Sequence, residues 1–386
     1  MLDWAPTLMV VALATLTLLN VALDRVDTTD LMRPPAPAPE GLGWIRGADV
    51  GPFLKDRVAF RTDLRAVQGR LLWLTGDGNE DVVRGEENWV FLADSLVATE
   101  GPNWLPRRPA RAVAKVANRV EATGRRALVL PAPNKASVYP QFLSRAARRQ
   151  QDLNDGRLAR VRRLARERSG EAFVDVFDDL RRMAERDGVA GAPLDDLYYP
   201  TDTHWNVRGA AVAAAKLLEQ LGAEWEEDAL GLIEVEGRLD LVSLLGLPGR
   251  GPRLIAEVKR EGVQSELVRR GSAWAHYRSR SEAAPLLGNL VVVHDSFGDA
   301  FRMLLPAYFE NTTFVLLEVD VTEDLGVLLD EADIVVLVTV ERTFVRLSGA
   351  YPAPLWPQTR EIIHRLESAP RHVEAPGRPQ SEGAAN

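Results

Sequence analysis

The segment VVVHDSFGDAF, residues 291–301, runs an apolar, β-branched stretch into a turn that carries a serine. Residues 290–293 predict a buried strand, and the chain from about Phe297 predicts a following helix. In an open parallel sheet, ligands bind beyond the carboxyl ends of the strands. Ser296 would lie at such an end, with its hydroxyl exposed and a helix N-terminus to stabilise negative charge. Taken alone, this serine fits a helix N-cap equally well.

Helices and apolar strands alternate along most of the chain. Further strands are predicted at 127–130, 172–176, 312–317 and 334–340. Helices are predicted at 108–122 and from the N-cap Asn206 to residue 221, with Gly222 as the stop. Continuous apolar strands separated by helices predict an α/β fold, in which a mainly parallel sheet is covered on both faces.

A second motif, TDTHW at 201–205, places Asp202 two residues before His204. In extended chain, residues i and i+2 project to the same side, so the carboxylate can reach the imidazole. Carboxylate, imidazole and the Ser296 hydroxyl are the set needed for acyl transfer through a covalent intermediate. Asp-x-His also fits a surface pair or half of a metal site. No convincing third ligand follows from the sequence, so neither a metal nor another cofactor is predicted.

Two residues next to the serine receive lesser roles. His294 is tethered too closely to Ser296 to act as its base and is predicted to pack behind it. Asp295 is predicted to bond the backbone of the turn. The remaining histidines, among them His276 and His364, are predicted to lie on the surface.

Composition excludes several classes of protein. The formal net charge is −8 and the chain has no Lys/Arg-dense stripe, which argues against a nucleic-acid partner. It has no cysteine, which excludes a thiolate nucleophile, a cysteine zinc site and disulfides. An apolar content of 46% is enough for a sizeable core.

The N-terminal region predicts a membrane anchor. Residues 4–23 carry no charged side chain, a run long enough to span a bilayer as a helix. A cleaved signal peptide fits less well because no Lys or Arg precedes the run and no clear cleavage site follows it; a buried core helix is a further alternative. Flanking charge does not fix the orientation. We therefore expect a transmembrane anchor at 1–24 and a Pro-rich linker at 25–45.

The remainder is expected to form one domain, 46–369, followed by a disordered tail at 370–386. Residues 223–287 break the alternation of helix and strand, since they are charged and contain Gly and Pro around LLGLPGRGPR. They are interpreted as an insertion beside the sheet rather than an independent domain.

The order Asp-x-His-Trp followed by Asp-Ser-Phe resembles the SGNH hydrolase-like domain of the alginate O-acetyltransferase family, the AlgX/AlgJ group. The resemblance extends over about 52–342. The other segments that carry it are DRVAFRTDL at 56–64, VVRGEENWVFL at 82–92, PAPNKASVYP at 131–140 and DIVVLVTVER at 333–342.

This resemblance implies a three-layer α/β/α fold with Ser296 as nucleophile, His204 as base and Asp202 as orienting acid. It also implies a single-pass protein of the cytoplasmic membrane whose catalytic domain is periplasmic. Its acceptor would be a polysaccharide, and its acetyl groups would come from a membrane-bound O-acyltransferase (MBOAT-type) partner. His294, where glycine is common, and the divergent insertion depart from the pattern, so alginate itself is not carried over.

Other side chains receive candidate roles. The Ser296 N–H and Asn134 are candidate oxyanion donors. Lys135 and Arg342 are candidates for holding an anionic glycan, although surface salt bridges are the ordinary alternative. Tyr199 is a candidate for stacking on a sugar ring, as are two tryptophans for which core packing is favoured, Trp89 and Trp205.

The sequence leaves three functions open. The leading one is a polysaccharide O-acetyltransferase with an acetyl-serine intermediate. A carbohydrate acetylesterase would use the same triad with water as the acceptor, and the difference lies in how well the site excludes water. A non-catalytic glycan-binding or scaffold domain is the third, and the presence of all three triad residues counts against it.

Overall fold

The computed structural model describes residues 69–74, 78–96, 105–187, 194, 196–271, 273–317, 322–346 and 356–368. The predicted anchor, linker and tail lie outside these residues. Within the described ranges, no helix is both long and apolar enough to cross a membrane. The chain divides into two compact units, 1–77 with 245–248, and 78–244 with 249–386. A helical turn over 69–74 belongs to the first unit, and the sheet described below belongs to the second.

The strands of the second unit form one large sheet and two small ones. In chain order they are β1 (Val82–Arg84), β2 (Val90–Leu92), β3 (Arg126–Ala132), β4 (Leu230–Arg238), β5 (Arg250–Val258), β6 (Val263–Arg270), β7 (Trp274–Ser281), β8 (Leu287–His294), β9 (Phe309–Leu316) and β10 (Ile334–Val340). The six-stranded sheet has the order β3-β10-β8-β9-β7-β6, while β1 pairs with β2 and β4 with β5.

The large sheet is mixed. Its strands β3, β10, β8 and β9 are parallel, whereas β7 joins β9 and β6 joins β7 in antiparallel fashion. The predicted parallel sheet is thus confirmed for four strands. The other two come from the 223–287 insertion, so part of that segment extends the sheet rather than lying beside it. Among the described strands of the insertion, β4 and β5 form a ribbon that is separate from the sheet.

Helices cover both faces of the sheet, as the predicted three layers require. They are α1 (Ala93–Leu96), α2 (Arg107–Glu121), α3 (Lys135–Val138), α4 (Arg145–Ser169), α5 (Phe177–Asp187), α6 (Val207–Leu221), α7 (Asp240–Leu244), α8 (Glu323–Asp330), α9 (Glu341–Arg346) and α10 (Trp356–Ser368). One apolar core lies between the sheet and α5 and α6, and another lies between the sheet and α2, α4, α8 and α10. The side chains of β8 alternate between these cores, and both faces are apolar.

The start and end of α6 were predicted correctly from the residues that flank the helix. The Asn206 side chain accepts hydrogen bonds from the N–H groups of Arg208 and Gly209, and the helix ends at Gly222 with φ of +80°. Glycine adopts this left-handed conformation without a Cβ penalty, which explains the stop.

The strand predicted at 172–176 is wrong. The segment makes one parallel bridge, between Phe173 and Val129 beside β3, and then leaves the sheet. The Asp175 carboxylate accepts from the N–H of Phe177 and from the Arg162 guanidinium. These bonds start α5 two residues later, which explains why the pairing does not continue.

Candidate active site

Ser296 lies directly beyond β8, at the first position of a 3₁₀ helix, Ser296–Met303. The preceding Asp295 fixes this turn, as predicted. Its Oδ1 accepts from the N–H of Phe297 at 3.0 Å, and its Oδ2 accepts from the N–H of Val340 at 2.7 Å. Asp295 therefore stabilises the turn that carries Ser296 and also connects it to the end of β10.

The three predicted triad residues meet. Asp202 Oδ1 lies 2.8 Å from His204 Nδ1 and also accepts the His204 backbone N–H at 2.9 Å. His204 Nε2 lies 2.8 Å from Ser296 Oγ. The hydrogen bonds run without a gap from carboxylate to imidazole to hydroxyl, although the last two residues are 92 positions apart.

The environment of Asp202 keeps its carboxylate charged. Burial works to raise the pKa of this carboxyl, but hydrogen bonds from His204 and from the Asp240 N–H outweigh it and lower the pKa to about 2. An ionised Asp202 holds the proton on Nδ1 of His204, which leaves Nε2 free to accept the proton of Ser296.

Lys135 lies in the protein interior, not at the surface or facing a ligand as predicted. It is buried, and its Nζ donates to the carbonyl oxygens of Tyr199, Pro200 and Asp202 at 3.0, 2.8 and 2.7 Å. All three N–H groups are thus used, so the prediction of a glycan contact or surface salt bridge is wrong. Instead, Lys135 holds the loop that presents Asp202 and His204.

A small cavity opens beside Ser296, with a volume of about 210 Å³. Its lining residues are Tyr199, His204, Trp205, Asn206, Val207, Arg253, Leu254, Ser296, Phe297, Asp299, Ala300 and Met303. Of the predicted substrate-binding residues, this lining includes Tyr199 and lacks both Lys135 and Arg342. The Tyr199 hydroxyl accepts from the N–H of Leu254, and its ring faces the Arg253 guanidinium at 5.0 Å. The β4–β5 ribbon therefore supplies one wall of the cavity.

The candidate oxyanion donors lie in different surroundings. The Ser296 N–H, at a helix start, has no hydrogen-bond partner among the described residues. Asn134 is buried at the end of β3 and is absent from the cavity lining; its Oδ1 accepts from Arg342 at 3.2 Å. Arg342 in turn lies 5.8 Å from the Phe297 ring centroid. The oxyanion role of Asn134 stays a prediction, as does a substrate contact by Arg342.

Sequence reasoning missed a third acidic group at this site. Asp240 places Oδ2 3.7 Å from His204 Nδ1. Together with Asp202 and His204 it offers three possible metal-ligand atoms, one from each residue, all within 4.8 Å of one another. The expectation that no third ligand exists was wrong, because Asp240 comes from the insertion and carries no local motif. The prediction that no metal binds stays a prediction.

The remaining histidines and tryptophans divide between core and surface. His294 is fully buried against Gly298, where an added Cβ would lie 2.3 Å from the His294 Cβ. His276 was predicted at the surface but is buried on β7, bonded to Thr313. His364 is exposed as predicted. The predicted core packing of Trp89 and Trp205 is confirmed.

Part of the chain is similar in sequence to known proteins. Residues 82–239 match the family model described as SGNH hydrolase-like domain, acetyltransferase AlgX. The match includes Asp202 and His204 and ends before Ser296. A curated relative, the probable alginate O-acetylase AlgJ of Pseudomonas putida, is 27% identical over 152 residues. That alignment spans 39% of this chain and 36% of the relative.

Two solved structures share a similar fold over much of the chain. The O-acetyltransferase domain of Pseudomonas putida AlgJ is 19% identical, with a TM-score of 0.41, over 72% of this chain and 99% of that one. Bacillus cereus PatB1 with a sulfonyl adduct is 14% identical, with a TM-score of 0.46, over 69% of this chain and 97% of that one. Over residues 82–239 the chain is thus similar in sequence to the AlgX/AlgJ group of SGNH hydrolase-like proteins, and its alignment with the curated relative covers about a third of that relative's length.

Proposed function

We propose that this protein is a polysaccharide O-acetyltransferase that works through an acetyl-serine intermediate. The observation that carries the proposal is the unbroken series of contacts from Asp202 through His204 to Ser296, at 2.8 Å for each side-chain step. The relatives named above, AlgX and AlgJ, support the transferase class.

In the first half-reaction, Ser296 Oγ attacks the carbonyl carbon of an acetyl donor while His204 Nε2 takes its proton. The Ser296 N–H, with Asn134 as the second candidate, stabilises the oxyanion that forms. When the intermediate collapses, His204 returns the proton to the leaving group, and the acetyl group stays on the serine as an ester.

The second half-reaction reverses these roles. A sugar hydroxyl gives its proton to His204 and attacks the acetyl carbon, and the proton then passes to the departing Ser296 oxygen. The sugar carries the acetyl group away, and the enzyme returns to its starting state. Asp202 stays ionised throughout and stabilises the imidazolium that forms in each half.

The cellular setting belongs to the same proposal. A charge-free run at 4–23 would anchor the protein in the cytoplasmic membrane, with the catalytic domain in the periplasm. An MBOAT-type membrane protein would supply the acetyl group, and the acceptor would be a polysaccharide. The proposed acyl transfer requires no cofactor, because side chains supply the nucleophile, the base and the acid.

An acetylesterase is the second candidate. The His204 side chain is 23% exposed, so water can reach the group that would activate it. In that case water, rather than a sugar hydroxyl, would attack the acetyl-serine.

Product analysis separates the two candidates. The protein is mixed with a small acetyl ester and an oligosaccharide, and the sugar products are identified by mass spectrometry. The proposal predicts O-acetylated oligosaccharide, absent with Ser296→Ala and unchanged with the matched control Ser368→Ala on α10. Free acetate formed at the same rate with or without acceptor would establish the esterase instead.

A further inference from the structure

Asp240 is bonded to the loop that carries the catalytic acid and base. Its backbone N–H donates to Asp202 Oδ2 at 2.9 Å, and its own Oδ1 accepts from the Thr203 N–H at 2.7 Å. Each aspartate therefore accepts a backbone N–H that belongs to the other's segment. The two segments are 38 residues apart in sequence, and the reciprocal pair fastens them together.

Hydrogen bonds from His204 and from the Asp240 backbone fix the orientation of the Asp202 carboxylate. Oδ1 accepts both the backbone N–H and Nδ1 of His204, and Oδ2 accepts the Asp240 N–H. With both oxygens engaged, the carboxylate has no freedom to turn away from the imidazole. The side chain of Asp202 is only 2% exposed, so water does not compete for these positions.

Asp240 also brings a charge to the imidazole. Its Oδ2 lies 3.7 Å from His204 Nδ1, too far for a hydrogen bond but close enough to favour a positive ring. Because the Asp240 side chain is 40% exposed, solvent screens part of this attraction. When His204 takes the serine proton, the imidazolium would face two carboxylates rather than one.

We propose that Asp240 is a positioning residue that orients the Asp202–His204 pair and stabilises the imidazolium in both half-reactions. This inference rests on the proposed function. It extends the catalytic arrangement beyond residue 239, where the AlgX family match ends, into the insertion. The insertion then does more than shape the acceptor cavity, since it completes the support of the base.

Binding of a divalent cation is the alternative role for Asp240, because Asp202, His204 and Asp240 offer three possible ligand atoms that lie close together. A cation bound to Nδ1 would displace the proton that the acyl-transfer mechanism keeps there. The positioning role requires a proton on His204 Nδ1, whereas a metal site requires that nitrogen to be unprotonated. Adding a chelator distinguishes the two, since it affects activity only if a cation is bound.

The test compares Asp240→Asn with Asp240→Ala. The asparagine keeps an acceptor for the Thr203 N–H and removes the charge, so kcat for serine acetylation should fall about fivefold at unchanged KM. The alanine also leaves that N–H unpaired, and kcat should fall about fiftyfold. Asp228→Asn, which changes an exposed acid of the same insertion, is the matched control and should match the wild type.

A second readout does not depend on turnover. The hydrogen-bonded Nδ1 proton of His204 should give a low-field proton NMR signal that Asp240→Ala shifts or broadens and Asp228→Asn leaves in place. Wild-type kcat in both Asp240 variants, with an unshifted signal, would overturn the inference. Wild-type activity that is lost with a chelator and restored by zinc would overturn it as well. If the wild type never acetylates Ser296, the proposed function fails, and the NMR signal alone decides the role of Asp240.

Discussion

The two segments that form the candidate active site are held in different ways. The turn at Ser296 is fixed by its sequence neighbour Asp295, which bonds the turn itself and the end of the adjacent strand β10. The loop at 199–204 is fixed by Lys135 and Asp240, which are remote from it in sequence. The nucleophile thus depends on local chemistry and the base on distant groups. We expect the base to be the more easily disturbed of the two.

The largest effect should come from the acid itself. Asp202→Asn keeps the size of the side chain but favours the wrong tautomer of His204, so kcat should fall about 10⁴-fold. Steady-state kinetics with a small acetyl ester measures this loss. A fall of less than about tenfold would show that the loop does not need its carboxylate.

Removing the distant support should have the next largest effect. Lys135→Met leaves the carbonyl groups of Tyr199, Pro200 and Asp202 without their shared donor. If about 4 kcal/mol of this loss appears as displacement of the loop, kcat falls about 10³-fold. Lys115→Met, at an exposed position on α2, is the control and should match the wild type. Equal kinetics for the two variants would contradict the role assigned to Lys135.

The free energy of unfolding should depend on pH through Glu341, a buried acid that bonds residues on either side of Lys135. Glu341 accepts from the Asn134 N–H and the Ser137 hydroxyl, and burial raises its pKa from 4.5 to about 7. The folded state therefore binds an extra proton between these values, and the free energy of unfolding should fall as pH rises through that window. The fall from this one group is about 3 kcal/mol, or about 10² in the unfolding constant.

Urea unfolding at several pH values between pH 4.5 and 7 measures this slope. Glu341→Gln cannot ionise and should lose this contribution, whereas Glu185→Gln, at an exposed position on α5, should keep it. Identical slopes for Glu341→Gln and the wild type would mean that Glu341 is ionised across the whole window.

The smallest effect should come from the local support. Asp295→Ala removes the acceptor for the Phe297 and Val340 N–H groups, but the Asp295 backbone still bonds Val338 and Gly298. Because these bonds remain, we expect a loss of about 2 kcal/mol in stability and about tenfold in kcat. Urea unfolding and ester kinetics check both values. A loss larger than that of Lys135→Met would reverse the comparison between turn and loop.

The sequence contained the local half of this arrangement. Three features are each coded within a few residues: Asp202 with His204, Asp295 with Ser296, and the capped helix after Asn206. Local sequence therefore identified these residues as candidates, and the family resemblance implied the roles of the triad. Lys135 and Asp240 could not be assigned in that way, since their roles exist only once residues far apart in sequence meet. Nothing around Lys135 distinguishes a buried donor to carbonyl groups from a surface charge.

The same limit applies to the fold. Strands β8 and β10 are apolar on both faces and were predicted, because a fully covered parallel strand has that composition. Strand β6 is almost entirely exposed, and β7 ends in four polar residues, Arg278–Ser281. Their addition to the sheet depends on pairing with β9, which no local pattern in 223–287 specifies.

Trapping of the acyl-enzyme is the direct test of whether Ser296 is a nucleophile that His204 activates. The protein is mixed with a small acetyl ester, quenched in acid, and digested for mass spectrometry. We expect one acetyl group on the peptide that contains Ser296, and we expect it to be lost in both Ser296→Ala and His204→Ala. An acetyl group on another residue, or labelling of Ser296 that persists without His204, would contradict it.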